Sequence, residues 1–304
     1  MKKRLLSSAL LLFISMIWGF AFVAQVAGTE SIGTFTYTAM RFLLGAAVLT
    51  PLIFIFSVRQ SDKKKLKSSL LYGLIGGVLL FVPVVLQQFA IEFNPDGNSM
   101  KAGFITGLYT ISTPICQWLV FKKKTSVQVW IGAVSAVIGL YLLCGIGGGP
   151  LHFTDALLFI TVPLWSAQII FIDNIAPKVD LFAYSVSQYS LCGIISLLGA
   201  CIFDRASLNI AAVGGAFLPI FYGGVLSVGV AYTLQIVGQK HADPTSASII
   251  LSTESVFGCI GNLIFLSVNM TFAQYIGCAL IFAGIVFSQL VFNNKKKKET
   301  KATQ

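Results

Sequence analysis

Ser246–Leu266 (SASIILSTESVFGCIGNLIFL) is an apolar run about long enough to cross a bilayer, and it carries one carboxylate, Glu254, near its middle. A charge at membrane depth costs roughly 2.5–3.5 kcal/mol on insertion scales, and such residues usually face a cavity or a partner. On a helix Glu254 shares a stripe with Ala247, Gly258, Gly261 and Asn262, all small or polar among Ile, Leu and Phe. Small residues let helices approach closely, so this stripe faces protein or a watery path. A carboxyl group sealed in a packed helix interface is the plainer alternative. The chemistry open to Glu254 is recognition of an amine or exchange of a proton.

Other polar groups sit in comparable places. Ser15, Trp18, Phe22 and Gln25 fall on one helical face, as do Thr161, Trp165 and Gln168. Both tryptophans lie well inside apolar runs, away from the interfaces where Trp serves as an anchor, so they are expected to line a cavity. Gln87–Gln88 and the pair Tyr232/Gln235 place polar groups near the ends of two further runs. Arg41 lies one to two turns into TFTYTAMRFLLGA. It either snorkels outward, anchors an anion, or serves as counter-charge to Glu254.

The elements that must position these residues are membrane helices. The chain has 304 residues, 56% hydrophobic and only 11% charged, with mean hydropathy +0.84; a soluble domain carries about 25% charged residues. Apolar runs at about 5–25, 34–57, 68–91, 101–121, 127–146, 153–173, 181–203, 211–236, 246–267 and 272–292 supply about ten crossings of ~20 residues each. The runs are continuous, which excludes a barrel of alternating strands. The N-terminal run is too long for a signal peptide and lacks a small-x-small cleavage site, so it is expected as an uncleaved first span. With that end inside, 18 of the 21 Lys and Arg fall on the inner side, which places both termini in the cytoplasm.

Five spans per half would leave a duplicated unit inverted in the membrane. WIGAVSAVIGLYL (130–142) rhymes with YIGCALIFAGIVF (275–287), and the same register of 145 pairs Ala102 with Ala247, Ile105 with Ile250, and Tyr109 with Glu254. LLFISMIW (11–18) answers LLFITVPLW (157–165) with one residue inserted. Inverted repeats of this kind recur in transporter folds. The expected units are residues 1–147, 150–293, and a basic tail, 294–304, that composition predicts to be solvated and disordered; GIGGGP (145–150) joins the halves.

Composition and motif also exclude. The net charge of +10 sits in short loops and at the termini, the pattern of topology signals, so no nucleic-acid partner is expected. The six cysteines form no CxxC and the two histidines, His152 and His241, are isolated; neither a metal site nor a disulfide framework is expected. There is no phosphate-binding glycine loop and no HExxH or GxSxG motif. No catalytic residue and no cofactor are therefore assigned. An enzyme acting on lipid-linked substrates would have only the loop IEFNPDGNSMK (91–101), with two acids and a lysine.

WGFAFVAQ (18–25), TAMRFLLGA (38–46), KAGFITGLYTISTPI (101–115), WIGAVSAVIGLYLL (130–143), VGVAYTLQIVGQKHADPTSASIILSTESVFG (228–258) and YIGCALIFAGIV (275–286) together resemble the drug/metabolite transporter superfamily, in its EamA-type ten-helix carriers. The resemblance implies an all-α polytopic fold of two inverted five-helix repeats around a central cavity, with the fifth and tenth helices peripheral, and secondary transport of small metabolites. Two features depart from it. Lys123–Lys124 and Val268–Asn269 stand where the family often has Gly-Glu, and Glu254–Ser255 replaces Glu-Pro, which is expected to leave that helix less kinked.

The expected protein is a multi-pass carrier of the cytoplasmic membrane, with a small-molecule substrate, the lipid bilayer and coupling protons as its partners. It is read as an exporter of amino acids or related compounds driven by a proton or ion gradient, the alternative being an uptake carrier or exchanger for another organic solute or drug. Substrate binding or coupling is assigned to Glu254, Arg41, Trp18, Gln25, Tyr109, Trp165, Tyr232, Gln235 and Asn262.

Overall fold

The computed structural model describes residues 2–57, 62–94, 100–144, 152–266 and 270–302, with side chains at 2, 100, 101, 144, 266 and 289–302 left aside. The GIGGGP joint, the centre of the 91–101 loop and Val268–Asn269 lie outside the described residues. The described chain is built of helices: α1 (Lys2–Thr29), α2 (Thr34–Leu52, extended by a π turn Ile53–Ser57), α3 (Lys63–Glu92), α4 (Met100–Gly107), α5 (Tyr109–Phe121), α6 (Val127–Cys144), α7 (Phe153–Ile175) and α8 (Leu181–Phe203). There follow α9 (Ile210–Gly215), α10 (Phe217–Phe221), a π-helical stretch Tyr222–Tyr232, α11 (Thr233–Gln239), α12 (Pro244–Leu251), α13 (Glu254–Leu266) and α14 (Phe272–Ala302).

Eight helical runs are long and apolar enough to cross a membrane, from Lys3–Thr29 to Pro244–Phe265; Val127–Leu143 and Phe272–Ser288 are shorter apolar helices at the places expected for the fifth and tenth spans. Their starts follow local chemistry. Asp62, Asp180 and Asp243 cap α3, α8 and α12 by accepting backbone N–H bonds, and Pro244 occupies the first turn of α12, where its missing donor is harmless. The basic tail continues as helix to Ala302, where composition predicts disorder. Lys, Glu and Ala are good helix formers, and here they extend a helix already nucleated.

Two spans are broken at matching places. α4 ends at Gly107 and α5 begins at Tyr109; α12 ends at Leu251 and α13 begins at Glu254. At each break the backbone tightens to an i−3 bond, Leu108 N–H to Ile105 O and Thr253 N–H to Ile250 O, both 3.1 Å. The second break corrects the expectation of a helix less kinked for want of proline. Ser252 and Thr253 hydroxyls donate back to Ile249 O and Ile250 O, and such back-bonding weakens and bends helices.

Contacts between the halves repeat under the 145 register. Ser255 Oγ donates to Gly103 O at 2.9 Å; the equivalent Thr110 Oγ1 donates to Ser248 O at 3.5 Å. α6 and α14 pack together through Gly132 against Gly284 and Gly139 against Gly277, where a Cβ on any of the four would strike the backbone carbonyl opposite. Ser135 Oγ bonds its own counterpart, Leu280 O, at 3.0 Å.

Two opposite faces follow from the helix ends. On one lie Arg4, Lys123, Asp173 and Asp243, close enough to influence one another; this is the basic face. Burial pushes the Asp243 carboxyl up from the ordinary aspartate range, opposed by the Ser246 and Thr245 amides and by Lys123 and Arg4. On the other face Glu92 accepts from Thr34 N–H at 2.8 Å and from the Thr34 hydroxyl, while Asp204 accepts from Thr36 N–H at 2.9 Å.

Candidate functional site

Between the halves lies a narrow cleft of about 50 Å³. α1 contributes Trp18, Phe22 and Gln25 at spacings of four and three, one helical face. Arg41 comes from α2, Gln87 and Val84 from α3, Thr106 from α4 and Tyr109 from α5. α7 supplies Trp165, Gln168 and Ile169; Ser227 and Tyr232 come from the π-helical stretch, Gln235 from α11, Leu251 from α12 and Glu254 from α13. Both halves therefore build the wall.

Glu254 is 6% exposed and accepts a hydrogen bond from the Tyr109 hydroxyl at 3.1 Å. Each is the first residue of a half-helix that begins after a break. A negative charge at a helix start is favourable. The carboxyl group is thus held by a neutral donor and by its place at a helix start, with no cation against it among the described residues.

Arg41 is 4% exposed and does not snorkel. Its guanidinium stands over the rings of Tyr37 and Phe42 at 5.2 and 5.3 Å, a cation–π arrangement that offsets part of its desolvation. Its Nε has no hydrogen-bond partner. Arg41 and Glu254 line the same cleft, yet among the described residues they form no ion pair. A desolvated guanidinium and a desolvated carboxyl group are left facing a shared space.

Aromatic rings frame that space. Trp18 lies against Tyr232 with centroids 4.7 Å apart, and its indole N–H donates to Ser227 O at 3.3 Å. Behind Tyr232 stand Phe42 and Tyr189, at 6.2 and 6.3 Å. The Trp165 indole N–H and the Thr106 hydroxyl are buried without partners, groups a bound solute would satisfy. Gln168 and Gln235 face each other at 3.4 Å, and Gln88 donates to Gln25 O at 3.3 Å.

The residues expected from sequence are brought together here with one difference. Glu254, Arg41, Trp18, Gln25, Tyr109, Trp165, Tyr232 and Gln235 line the cleft, whereas Asn262, though buried, does not. It shares a face with Glu254 but stands eight residues further along, roughly 12 Å up the helix axis. Thr106 and Ser227 were not singled out by sequence; a lone hydroxyl in an apolar run gives no signal, although Thr106 stands one turn before Tyr109 on the same side. Among the described residues no group of three or more His, Cys, Asp or Glu could hold a metal ion.

The chain matches the model of the EamA-like transporter family twice, over residues 6–145 and 152–290. It is 24% identical over 292 residues to an uncharacterized transporter of Archaeoglobus fulgidus, covering 95% of this chain and 87% of that one. It is 20% identical over 290 residues to the uncharacterized transporter YoaV of Bacillus subtilis, covering 93% and 96%. The uncharacterized inner membrane transporter YicL of Salmonella typhimurium is 22% identical over 298 residues, covering 92% and 93%. A crystal structure superimposes with a TM-score of 0.75 at 18% identity, over 94% of this chain and 97% of its own; at that identity the likeness concerns the fold.

Proposed function

Because the chain belongs to the EamA-like transporter family, and so is a multi-pass membrane transporter rather than an enzyme, we propose that it is a secondary-active exporter of amino acids or closely related zwitterions. One observation carries this reading: Arg41 and Glu254 are both buried, both line one cleft, and neither neutralises the other. A buried unpaired charge is costly. A solute bearing a carboxylate and an ammonium would satisfy both ends, with Arg41 receiving the carboxylate and Glu254 the amine.

In this reading ten spans form two inverted repeats with both termini in the cytoplasm of a cell bounded by the cytoplasmic membrane. The mirrored bonds Ser255–Gly103 and Thr110–Ser248 support the repeat, and the lysine distribution supports the orientation. Glu254 also carries the coupling proton, exchanging it as the amine arrives and leaves. Trp18, Gln25, Tyr109, Trp165, Tyr232 and Gln235 shape the cavity around the solute. Counterflow in proteoliposomes tests the transport class: preloaded unlabelled amino acid should draw labelled amino acid inward transiently without chemical turnover. Failure across amino acids, with counterflow of solutes lacking one of the two charges, would overturn the zwitterion assignment.

A further inference from the structure

The two halves are alike in backbone but unlike in what closes the cleft, and the difference follows the two faces. Spans related by the repeat register meet in two seams, α1 against α12–α13 and α7 against α4–α5. Trp18 corresponds to Trp165, so Gly19 corresponds to Ser166; the 145 register makes Thr113 correspond to Gly258. On the basic-face side Thr113 Oγ1 donates to Ser166 Oγ at 3.2 Å. At the equivalent place toward the other face, Gly19 and Gly258 pack backbone to backbone: a Cβ on Gly19 would meet Glu254 O and Gly258 N.

The same contrast recurs along the seams. Beside the α7 seam, on the basic-face side, Thr245 Oγ1 of α12 donates to Gln117 Oε1 of α5 at 3.0 Å; the counterpart of Gln117 is Asn262. Ser15 and Thr253 share a 2.6 Å hydroxyl bond, whereas their counterparts are Thr161 and Leu108, and leucine cannot make it. Gln239 Nε2 adds a bond to Ile169 O at 2.9 Å between α11 and α7. Hydroxyl and amide pairs separate readily because water replaces each lost partner. Toward the other face, beyond the Ser15–Thr253 pair, the glycines packed against Phe20, Phe22 and Val23 offer water nothing and lose close packing when they part.

We propose that the substrate-free cleft opens toward the basic face, by parting of the α7 seam held by Thr113–Ser166 together with the α5–α12 contact held by Gln117–Thr245, while the Gly19–Gly258 seam stays shut. This rests on the transporter reading and deepens it, since it makes the basic face the loading side. Solute enters past a polar seam that hydrates as it opens, and leaves only when the glycine seam is forced apart.

The test is the sidedness of labelling in sealed membrane vesicles, without added substrate. Val84→Cys places a thiol in the cleft, and Lys123→Cys marks the basic face; labelling by a membrane-impermeant maleimide is read above that of the unsubstituted chain. The expected result is Val84→Cys labelling at least tenfold faster from the side that labels Lys123→Cys. Adding Thr113→Val with Ser166→Ala, which removes the hydroxyl pair with little change of volume, should slow that labelling at least tenfold. Equal rates from both sides, faster labelling from the opposite side, or labelling from neither side would each overturn the proposal. Because no substrate is present, failure of the transporter reading would appear instead as absent counterflow with the labelling asymmetry intact.

Discussion

The Tyr109 hydroxyl donates to the Glu254 carboxylate at 3.1 Å across 145 residues of sequence, the same interval that relates the Gly132–Gly284 and Gly139–Gly277 contacts to each other. Two positions equivalent in the repeat have therefore become partners at the centre of the molecule. One carries a neutral hydroxyl and the other a carboxyl group. Two carboxylates at this separation would repel. The asymmetry makes one half the charge carrier and the other its support.

Replacement of Glu254 by Gln separates coupling from carriage. The variant keeps an acceptor for Tyr109 but has no proton to exchange. Accumulation driven by a pH gradient should be lost, while equilibrium counterflow of the same solute continues at a reduced rate. Gradient-driven accumulation at the wild-type level in Glu254→Gln would remove Glu254 from the coupling step.

Arg41→Lys tests the anion anchor. Lysine keeps the charge but loses the planar fork and its stacking over Tyr37 and Phe42. Ligand affinity should fall at least tenfold, about 1.4 kcal/mol, with the fold retained by size-exclusion and circular dichroism. Unchanged affinity, measured by calorimetry, would point away from bidentate recognition.

Asp243 makes a prediction about pH. Its carboxyl is pushed up in the folded protein, so the folded state holds a proton where the unfolded chain has already released it. Stability from this group is full below the ordinary aspartate range and falls as pH rises through the raised value. Asp243→Asn keeps the N-cap of α12 but cannot ionise. Its thermal unfolding temperature should decline less across that window than that of the wild type, and parallel pH profiles would contradict the assignment.

The α6–α14 pair depends on glycine. Gly284→Leu places a side chain against Gly132 O, and overpacking of this kind costs typically about 1–3 kcal/mol. A clear drop in thermal stability in detergent is expected. Val134→Leu, on an exposed face of α6, should leave stability unchanged. A silent Gly284→Leu would show that the helices tolerate wider spacing.

Glu254, Arg41, Trp18 and Trp165 were legible because each is a polar or amphipathic residue inside an apolar run, where its presence needs a partner. The repeat was legible from a handful of glycines and aromatics, because backbone approach tolerates so few substitutes at Gly132 and Gly277. The break at Ser252–Thr253 was not. No proline marks it, and hydroxyl back-bonding that bends a helix uses the same residues that decorate straight ones. Asn262 shows the limit of periodicity, which fixes a face but not a depth. The π-helical stretch Tyr222–Tyr232 left no trace beyond its glycines.

The most direct measurement is the thermal stability of the purified protein against a matched panel: amino acids, the corresponding amines without carboxylate, and the corresponding acids without amine. A ligand that binds only the folded state adds about 2.7 kcal/mol at one hundred times its Kd. The account predicts stabilisation by zwitterions alone, lost in both Arg41→Gln and Glu254→Gln. Stabilisation by a single-charge analogue as strong as by the amino acid, or a zwitterion response that survives both substitutions, would contradict it.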